Sequence, residues 1–600
     1  MKYLLIVFAA CWSLGAGAQP PRAKASGAAA ARTTETLAAL LEQFNHRRFQ
    51  LYPLTATAWG DHQFDDQLPN DQTQAFRDTV RSFYRHYRAR LRRFDRARLS
   101  ATDQVSYDIL DYELTQRLQG FAFNNWMMPF NQFVWSLTNT LPIHGSGKGA
   151  QPFKTVADYD RWLARLHHYP VLVDSAIGNF RRGMRAGVVL PKAVVARMVP
   201  QLRAMVVTDP TKSLFYGPIA AFPADFSAAD QARLTALYQE AIRRDVVAPY
   251  QKLADFLETE YLPRARSSAG YGALPQGAAR YAYAVQTNTT TTLTPEQIHR
   301  LGLAEVARIR AEMERVKARI GFAGDLNAYF EFVRTDPQFR PFQTQEQVLE
   351  AFRAVQARIA PALPRMFGRV PKSRFEVRAT EAFRAASAAP QYSVGDLASG
   401  RPGVFYVPIL DPLQFNVAAN PAMETLFLHE AIPGHHFQLS LQQENPDLSA
   451  FRRMGGYAVF AEGWGLYAES LGPELGLFTD LHQLMGHLGN EIHRALRLVI
   501  DTGLHTGTFT REQAIAYMMA NEPISEQAAT AEVERYMAVP GQALSYKIGQ
   551  LKLSELRARY EKQLGPKFSL RAFHDEILLG GSMPLTVLEK RLDAWAAGVK

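Results

Sequence analysis

Four residues in the segment ETLFLHEAIPGHHFQ, positions 424 to 438, carry side chains that could hold a metal ion and activate water: His429, Glu430, His435 and His436. Imidazole nitrogens bind zinc, and a neighbouring carboxylate can serve as general base toward water at the ion. In the H-E-x-x-H pattern two histidines lie one helical turn apart and converge on one Zn2+, with the intervening Glu as the base. This segment departs from that spacing, because the residue four after His429 is Pro433, which cannot bind a metal. His429 and His436 are seven residues apart, which on a straight helix means one face but a separation of about 10 Å along the axis. Zinc ligands sit about 2 Å from the ion, so a straight helix cannot bring both to it. Pro433 removes a helical hydrogen bond, and Gly434 permits dihedrals closed to other residues. The sequence therefore predicts that the chain loops out at Pro433-Gly434 and returns either His435 or His436 to the side of His429.

A third ligand should follow downstream. The stretch AEGWGLYAE, residues 461 to 469, offers Glu462, which is 26 residues after His436, and Glu469. Two histidines and a Glu would bind one zinc ion and leave the fourth position open. Glu469 competes with Glu462 as a ligand, or orients a ligating imidazole through a hydrogen bond. Further along, His493, Arg497 and Asp501 recur at i, i+4 and i+8 on a segment otherwise lined by Leu484, Leu488, Ile492, Leu496 and Val499. Such a polar stripe on an apolar helix reads either as a buried ion-pair network or as part of a site, with His493 a donor to a developing oxyanion. Arg494, Arg497 and Lys547 are the cations available to pair with a substrate carboxylate.

The elements that must position these groups read mainly as helices. Leu37, Leu40, Leu41 and Phe44 follow the helical stripe, as do Tyr84, Tyr87, Leu91 and Phe94. Arg81, Arg85, Arg88, Arg92 and Arg96 occupy the other faces of the second segment, and the interleaved apolar stripe marks them as a solvated helix face, not a nucleic-acid surface. Thr294-Pro295 is a strong helix start, Ile298 to Ile320 traces one apolar face, and Gly321 is the stop. Leu234 to Leu262 reads similarly. Strand patterns are confined to RFEVR (374–378) and GVFYVP (403–408), which predicts a small β element beside the metal site. The Pro/Gly/Ala-rich stretch 264–279 is the candidate hinge between two lobes, and the metal site falls within 370–600.

With 600 residues, 47% hydrophobic and 21% charged, the chain has an ordinary globular composition. The net charge of +10, from 67 basic and 57 acidic residues, requires no nucleic-acid partner. Lys2, the apolar run Tyr3 to Leu14 and the A-x-A pattern ending at Ala18 form a secretory signal peptide over 1–18, followed by a flexible leader over 19–33. The apolar run is too short to span a bilayer, and no later stretch reaches spanning length. Cys11 is the single cysteine. It lies within the apolar run, which before it is short for a lipoprotein signal, so a secreted or periplasmic chain is expected ahead of one anchored through Cys11. Residues Gly145 to Lys148 lack the spacing of a phosphate-binding loop, and no G-x-S-x-G elbow occurs.

The chain resembles the bacterial DUF885 family, whose H-E-A-x-P-G-H-H-x-Q signature stands here as HEAIPGHHFQ. EGWGLYAE (462–469), RALRLVIDTGLHTG (494–507), REQAIAYM (511–518) and PGQALSYKIGQLK (540–552) extend the match. That family looks like a distant relative of the helical zinc peptidases that include angiotensin-converting enzyme and the thimet-type oligopeptidases. The resemblance implies a large helical peptidase-like fold with a central cleft. It also implies zinc held by His429, His436 and a Glu about 25 residues on, which favours Glu462 and prefers His436 to His435. Gln438 matches the His-x-Gln pattern of the converting-enzyme group, and Tyr546 corresponds to a tyrosine that follows the metal helices. The expected function is a secreted zinc metallopeptidase that hydrolyses oligopeptides with Glu430 as general base. Another metal-dependent amide or ester hydrolase shares the same site. A non-catalytic binding protein on a peptidase-derived scaffold is the third reading, motivated by the altered spacing.

Overall fold

The computed structural model describes residues 35–133, 140–381, 385, 389–395, 397, 400–419 and 422–599. The expected signal peptide, Cys11 and the leader over 19–33 lie outside the described residues. Ten helices position the site or its surroundings: α1 (Leu37–Leu51), α2 (Gln74–Leu91), α3 (Ala101–Gly120), α4 (Gly277–Thr289), α5 (Pro295–Ile320), α6 (Met423–Glu430), α7 (His435–Glu444), α8 (Ala458–Ser470), α9 (Leu481–Thr506) and α10 (Ser545–Leu564). The chain is mainly α, as the periodicity predicts. Among the described residues no helix is long and apolar enough to cross a membrane.

The helix signals act through backbone satisfaction at the ends. Thr294 accepts a hydrogen bond from the Gln297 amide, and the Gln297 side chain accepts from the Thr294 amide at 2.8 Å, so two amides with no partner in α5 are paired. Gly321 ends α5 with a left-handed φ of 81°. The predicted helix over 234–262 runs from Ala228 to Tyr261, with one wide-turn segment, Ile242–Val247, inside it and a second, Leu257–Tyr261, at its end.

The three strands form one sheet in the order β1 (Phe375–Ala379), β3 (Gly403–Val407), β2 (Gln391–Ser393). β1 lies parallel to β3, with Phe375 opposite Gly403 and Ala379 opposite Val407, and β2 is antiparallel to β3. Both predicted strand segments are therefore neighbours in one sheet. Its residues reach the histidine-rich segment: the ring of Phe375 lies 4.9 Å from that of His436.

Two extended hydrophobic clusters fill Leu37–Lys600. One joins α1, α2 and α3 to α6, α7, α8 and α10, and the other holds the middle helices against α5 and most of α9. The stretch 264–279 is tied at several points, with Lys192 N donating to Arg266 O at 2.8 Å and Tyr271 N to His505 Nδ1 at 3.0 Å. α8 crosses α10 closely near the site. A Cβ on Gly463 would stand 2.5 Å from Gly549 Cα, so the two backbones touch where EGWG meets SYKIG.

Candidate metal centre

The geometry begins with a helix break. α6 ends at Glu430, and Ala431 still donates to Phe427 O at 2.9 Å before its own backbone turns away at φ −109°, ψ −107°. Pro433 and Gly434 carry the chain around, and the Ile432–Pro433 peptide is cis. At Gly434 the chain folds back onto the end of α6, where a Cβ would lie 2.0 Å from His429 O and 2.3 Å from Leu428 O. Only glycine fits that approach. Trp464 of α8 donates its indole N–H to Pro433 O at 2.9 Å and fixes the loop. α7 restarts at His435. The chain thus makes two helices with a tight reversal between them, and the phase of the second is set afresh.

That phase brings His435 beside His429. The two rings lie 4.7 Å apart at 82°, and one ligand atom each from His429, His435 and Glu462 falls within 4.8 Å of the others. His429 Nε2 is 3.5 Å and His435 Nε2 is 3.8 Å from Glu462 Oε2. Tetrahedral zinc with bonds of about 2.0–2.1 Å needs ligand atoms about 3.3 Å apart, so each histidine is already near that distance from Glu462 and the group closes on one ion by drawing the imidazoles together. Two imidazoles and a carboxylate that leave a fourth position open are a donor set suited to zinc.

The structure does not bring His436 to this group, contrary to the preference for it over His435. Consecutive residues of a helix point about 100° apart, so with His435 turned toward Glu462 its neighbour must face elsewhere. His436 faces the sheet. The Tyr392 hydroxyl of β2 lies 2.9 Å from its Nδ1, and burial pulls its pKa down to about 4. The preference for His436 came from the resemblance, whose spacing of about 25 residues to the Glu fits His435, 27 residues before Glu462, nearly as well.

His429 is held from three sides. Its ring lies flat on α8, where a Cβ on Gly465 would meet Cε1 at 2.7 Å and Nε2 at 3.0 Å. Its Nδ1 is 2.7 Å from Glu469 Oε1. Glu469 Oε2 accepts from Asn490 Nδ2 at 2.7 Å, and Arg494 donates to Asn490 Oδ1. Glu469 therefore orients the imidazole and is not one of the three grouped residues, and its bond leaves Nε2 pointing at the group. Burial pushes the His429 pKa down, but the hydrogen bonds it donates to Glu462 and Glu469 outweigh it and raise it to about 10. The His435 pKa is lowered by burial and by the charge on His429. Burial opposes ionisation of Glu462, yet His429, His435 and Arg494 bring its pKa down to about 2. Glu430 is half-buried, acts electrostatically on both histidines, and among the described residues forms no hydrogen bond or ion pair.

The other expected residues divide into two groups. Arg497 lies over the Tyr546 ring at 4.5 Å and Arg494 at 6.0 Å, and Arg497 is 3.2 Å from His493 Nε2, so these four form one cluster. His493 Nδ1 is bound by Glu522 at 2.8 Å, and Glu532 pairs with Arg497 at 3.2 Å. Lys547 lies apart from them. Its side chain is fully buried, and its ammonium is shared among Glu491 at 2.7 Å, Gln550 at 2.7 Å and Glu305 at 3.0 Å. All three donors are used, so this cation is not presented to a ligand. Asp501 accepts from the Tyr281 hydroxyl at 2.6 Å and the Gly541 amide at 3.1 Å, which makes that end of the stripe a buried structural network. Sequence reasoning missed Gly465, Trp464, Asn490 and Tyr392. The first two stand inside EGWG, where the small residue and the indole donor were the available signal. Asn490 lies four residues before Arg494 on the same helix face, and Tyr392 carried no signal.

Two solved structures share this architecture. A protein described as a candidate lipoprotein from Colwellia psychrerythraea is 26% identical, with a TM-score of 0.85 over 94% of this chain and 98% of its own. A candidate lipoprotein of unknown function from Shewanella oneidensis is 19% identical, with a TM-score of 0.71 over 93% of this chain and 99% of its own, a likeness of fold. Among curated proteins none matches the chain. The model of a family described as bacterial protein of unknown function, DUF885, matches residues 53–592, and the chain belongs to that family.

Proposed function

We propose that this protein is a metal-dependent hydrolase that cleaves amide bonds of oligopeptides, with zinc as its ion. The observation that carries the reading is the convergence of His429, His435 and Glu462 beside a Glu430 that forms no hydrogen bond or ion pair among the described residues. A zinc ion bound there supplies a Lewis acid that polarises a carbonyl oxygen and eases deprotonation of water. Glu430 is next in the chain to His429 and free to take the proton from the attacking water, then return it to the leaving amine. Glu469, Asn490 and Gly465 hold the His429 ring in one orientation. Tyr546, half-exposed under Arg497, would donate to the oxyanion as the carbonyl becomes tetrahedral, and His493, whose ring nitrogens face Glu522 and Arg497, would support Tyr546 through that cluster. The two candidate lipoproteins among the relatives support an envelope or extracellular setting for this activity.

The test compares the wild type with Glu430→Gln. The variant keeps the ligand set and should hold zinc at the same stoichiometry while kcat on short peptides falls by about 10²–10⁴, the range for loss of a general base. Equal turnover in the variant, or a wild type that takes up no zinc, sinks the reading.

A further inference from the structure

A second feature opens one helical turn from Glu462. A cavity of about 620 Å³ lies between α1, α3 and α4 on one side and the chain entering α8 on the other. Ala458, the first residue of α8, lines it. Ala458 and Glu462 stand at i and i+4, on one face of the helix and about 6 Å apart along its axis. An extended peptide advances about 3.4 Å per residue, so the spacing of Ala458 and Glu462 along α8 corresponds to about two residues of such a chain.

The lining has the chemistry of an anion site. Three arginines face one glutamate, and five tyrosines complete the wall. Arg48 is paired with Glu113 at 3.7 Å. Arg452 is buried and donates to Ser106 Oγ at 3.1 Å and to Gly580 O. Arg117, in the last turn of α3, interacts electrostatically with Tyr84, with Glu113, which it shares with Arg48, and with Tyr52 and Tyr283. It is exposed, and among the described residues it forms no hydrogen bond and no ion pair. Tyr457, immediately before α8, lines the same cavity, and its hydroxyl likewise has no partner among the described residues. A guanidinium and a phenol that form no hydrogen bond among the described residues, in a cavity with three arginines to one glutamate, are donors for a carboxylate, which a guanidinium can meet with two parallel hydrogen bonds.

We propose that this cavity is the specificity subsite of the protein, and that Arg117, with Tyr457, receives a carboxylate of the substrate one or two residues from the bond that is cleaved. The inference rests on the peptidase reading and sharpens it to acidic substrates. The carboxylate has two sources of the same chemistry: the C-terminus of a short peptide, or an Asp or Glu side chain within a longer one.

The test measures peptide affinity by calorimetry on zinc-loaded Glu430→Gln protein, with and without Arg117→Gln, alongside turnover by the wild type. Three peptides of one neutral sequence are compared: free C-terminus, amidated C-terminus, and amidated with a Glu two residues from the cleaved bond. Loss of a charge-assisted hydrogen bond costs about tenfold or more in affinity. The free acid or the Glu peptide should bind at least about tenfold tighter than the neutral amide. Arg117→Gln should abolish that ratio, and Arg117→Lys should restore part of it. Which peptide shows the preference identifies the source of the carboxylate. Peptides that are turned over with no carboxylate preference, or a preference that survives Arg117→Gln, overturn the subsite alone. If no peptide in the series is bound or turned over, the peptidase reading falls and this inference with it.

Discussion

At the scale of single residues, the central assignment is His435 beside His429, with His436 turned to the sheet. His435→Ala should therefore abolish stoichiometric zinc binding, whereas His436→Ala should leave it in place and affect packing against Phe375 and Tyr392. Equilibrium dialysis of the two variants separates them, and the reverse result would reinstate His436. Glu469→Gln removes the acceptor that orients His429 and should weaken zinc binding by about 10–100-fold. Protonation gives a further prediction. Without metal, His429 has a pKa of about 10 and carries a proton at neutral pH, whereas His435, its pKa lowered, is neutral and Glu462, near 2, is ionised. A ligating imidazole must be neutral, so zinc uptake releases one proton from His429, none from His435 and none from Glu462. Apparent affinity should then fall about tenfold for each unit of pH lowered between pH 8 and 7. Calorimetry in buffers of different ionisation enthalpy counts the protons, and a count near zero contradicts this account of the site.

At the scale of elements, the site depends on how closely helices approach. The Gly463–Gly549 contact lets α8 and α10 touch, and through α8 it sets the height of Glu462 and Gly465. Gly463→Ala overpacks that crossing and should cost about 1–3 kcal/mol, read as a lower denaturant midpoint. An unchanged midpoint would mean the crossing can open freely. These close approaches explain what could be read from the sequence. α5 was legible from Thr294 to Gly321 because caps and periodicity are local signals, and both strand segments were legible for the same reason. The helical character of the chain followed from periodicity and the candidacy of His429 and Glu430 from residue type, while residue type and spacing left Glu462 and Glu469 both open and the resemblance favoured Glu462. The choice between His435 and His436 was not legible. It depends on where α7 restarts, which the packing of Gly434 on α6 and the Trp464 hydrogen bond decide, and both are contacts that a residue count cannot contain. Lys547 was misjudged as a free cation on similar grounds, since its partners Glu305 and Glu491 come from α5 and α9.

At the scale of the whole molecule, the ion would join only α6, α7 and α8, while two hydrophobic clusters hold the rest of Leu37–Lys600. Zinc at a thousandfold its Kd stabilises the folded state by about 4 kcal/mol, a contribution on top of a core that does not require it. Chelation should lower the thermal midpoint yet leave the far-UV helical signal of the folded protein unchanged at 25 °C, and loss of that signal would make the metal a structural requirement. The most direct test of the account is anomalous diffraction at the zinc edge from crystals of the zinc-loaded protein. One peak is predicted, about 2 Å from His429 Nε2, His435 Nε2 and a carboxylate oxygen of Glu462. A peak coordinated by His436, or none between α6, α7 and α8, would contradict it.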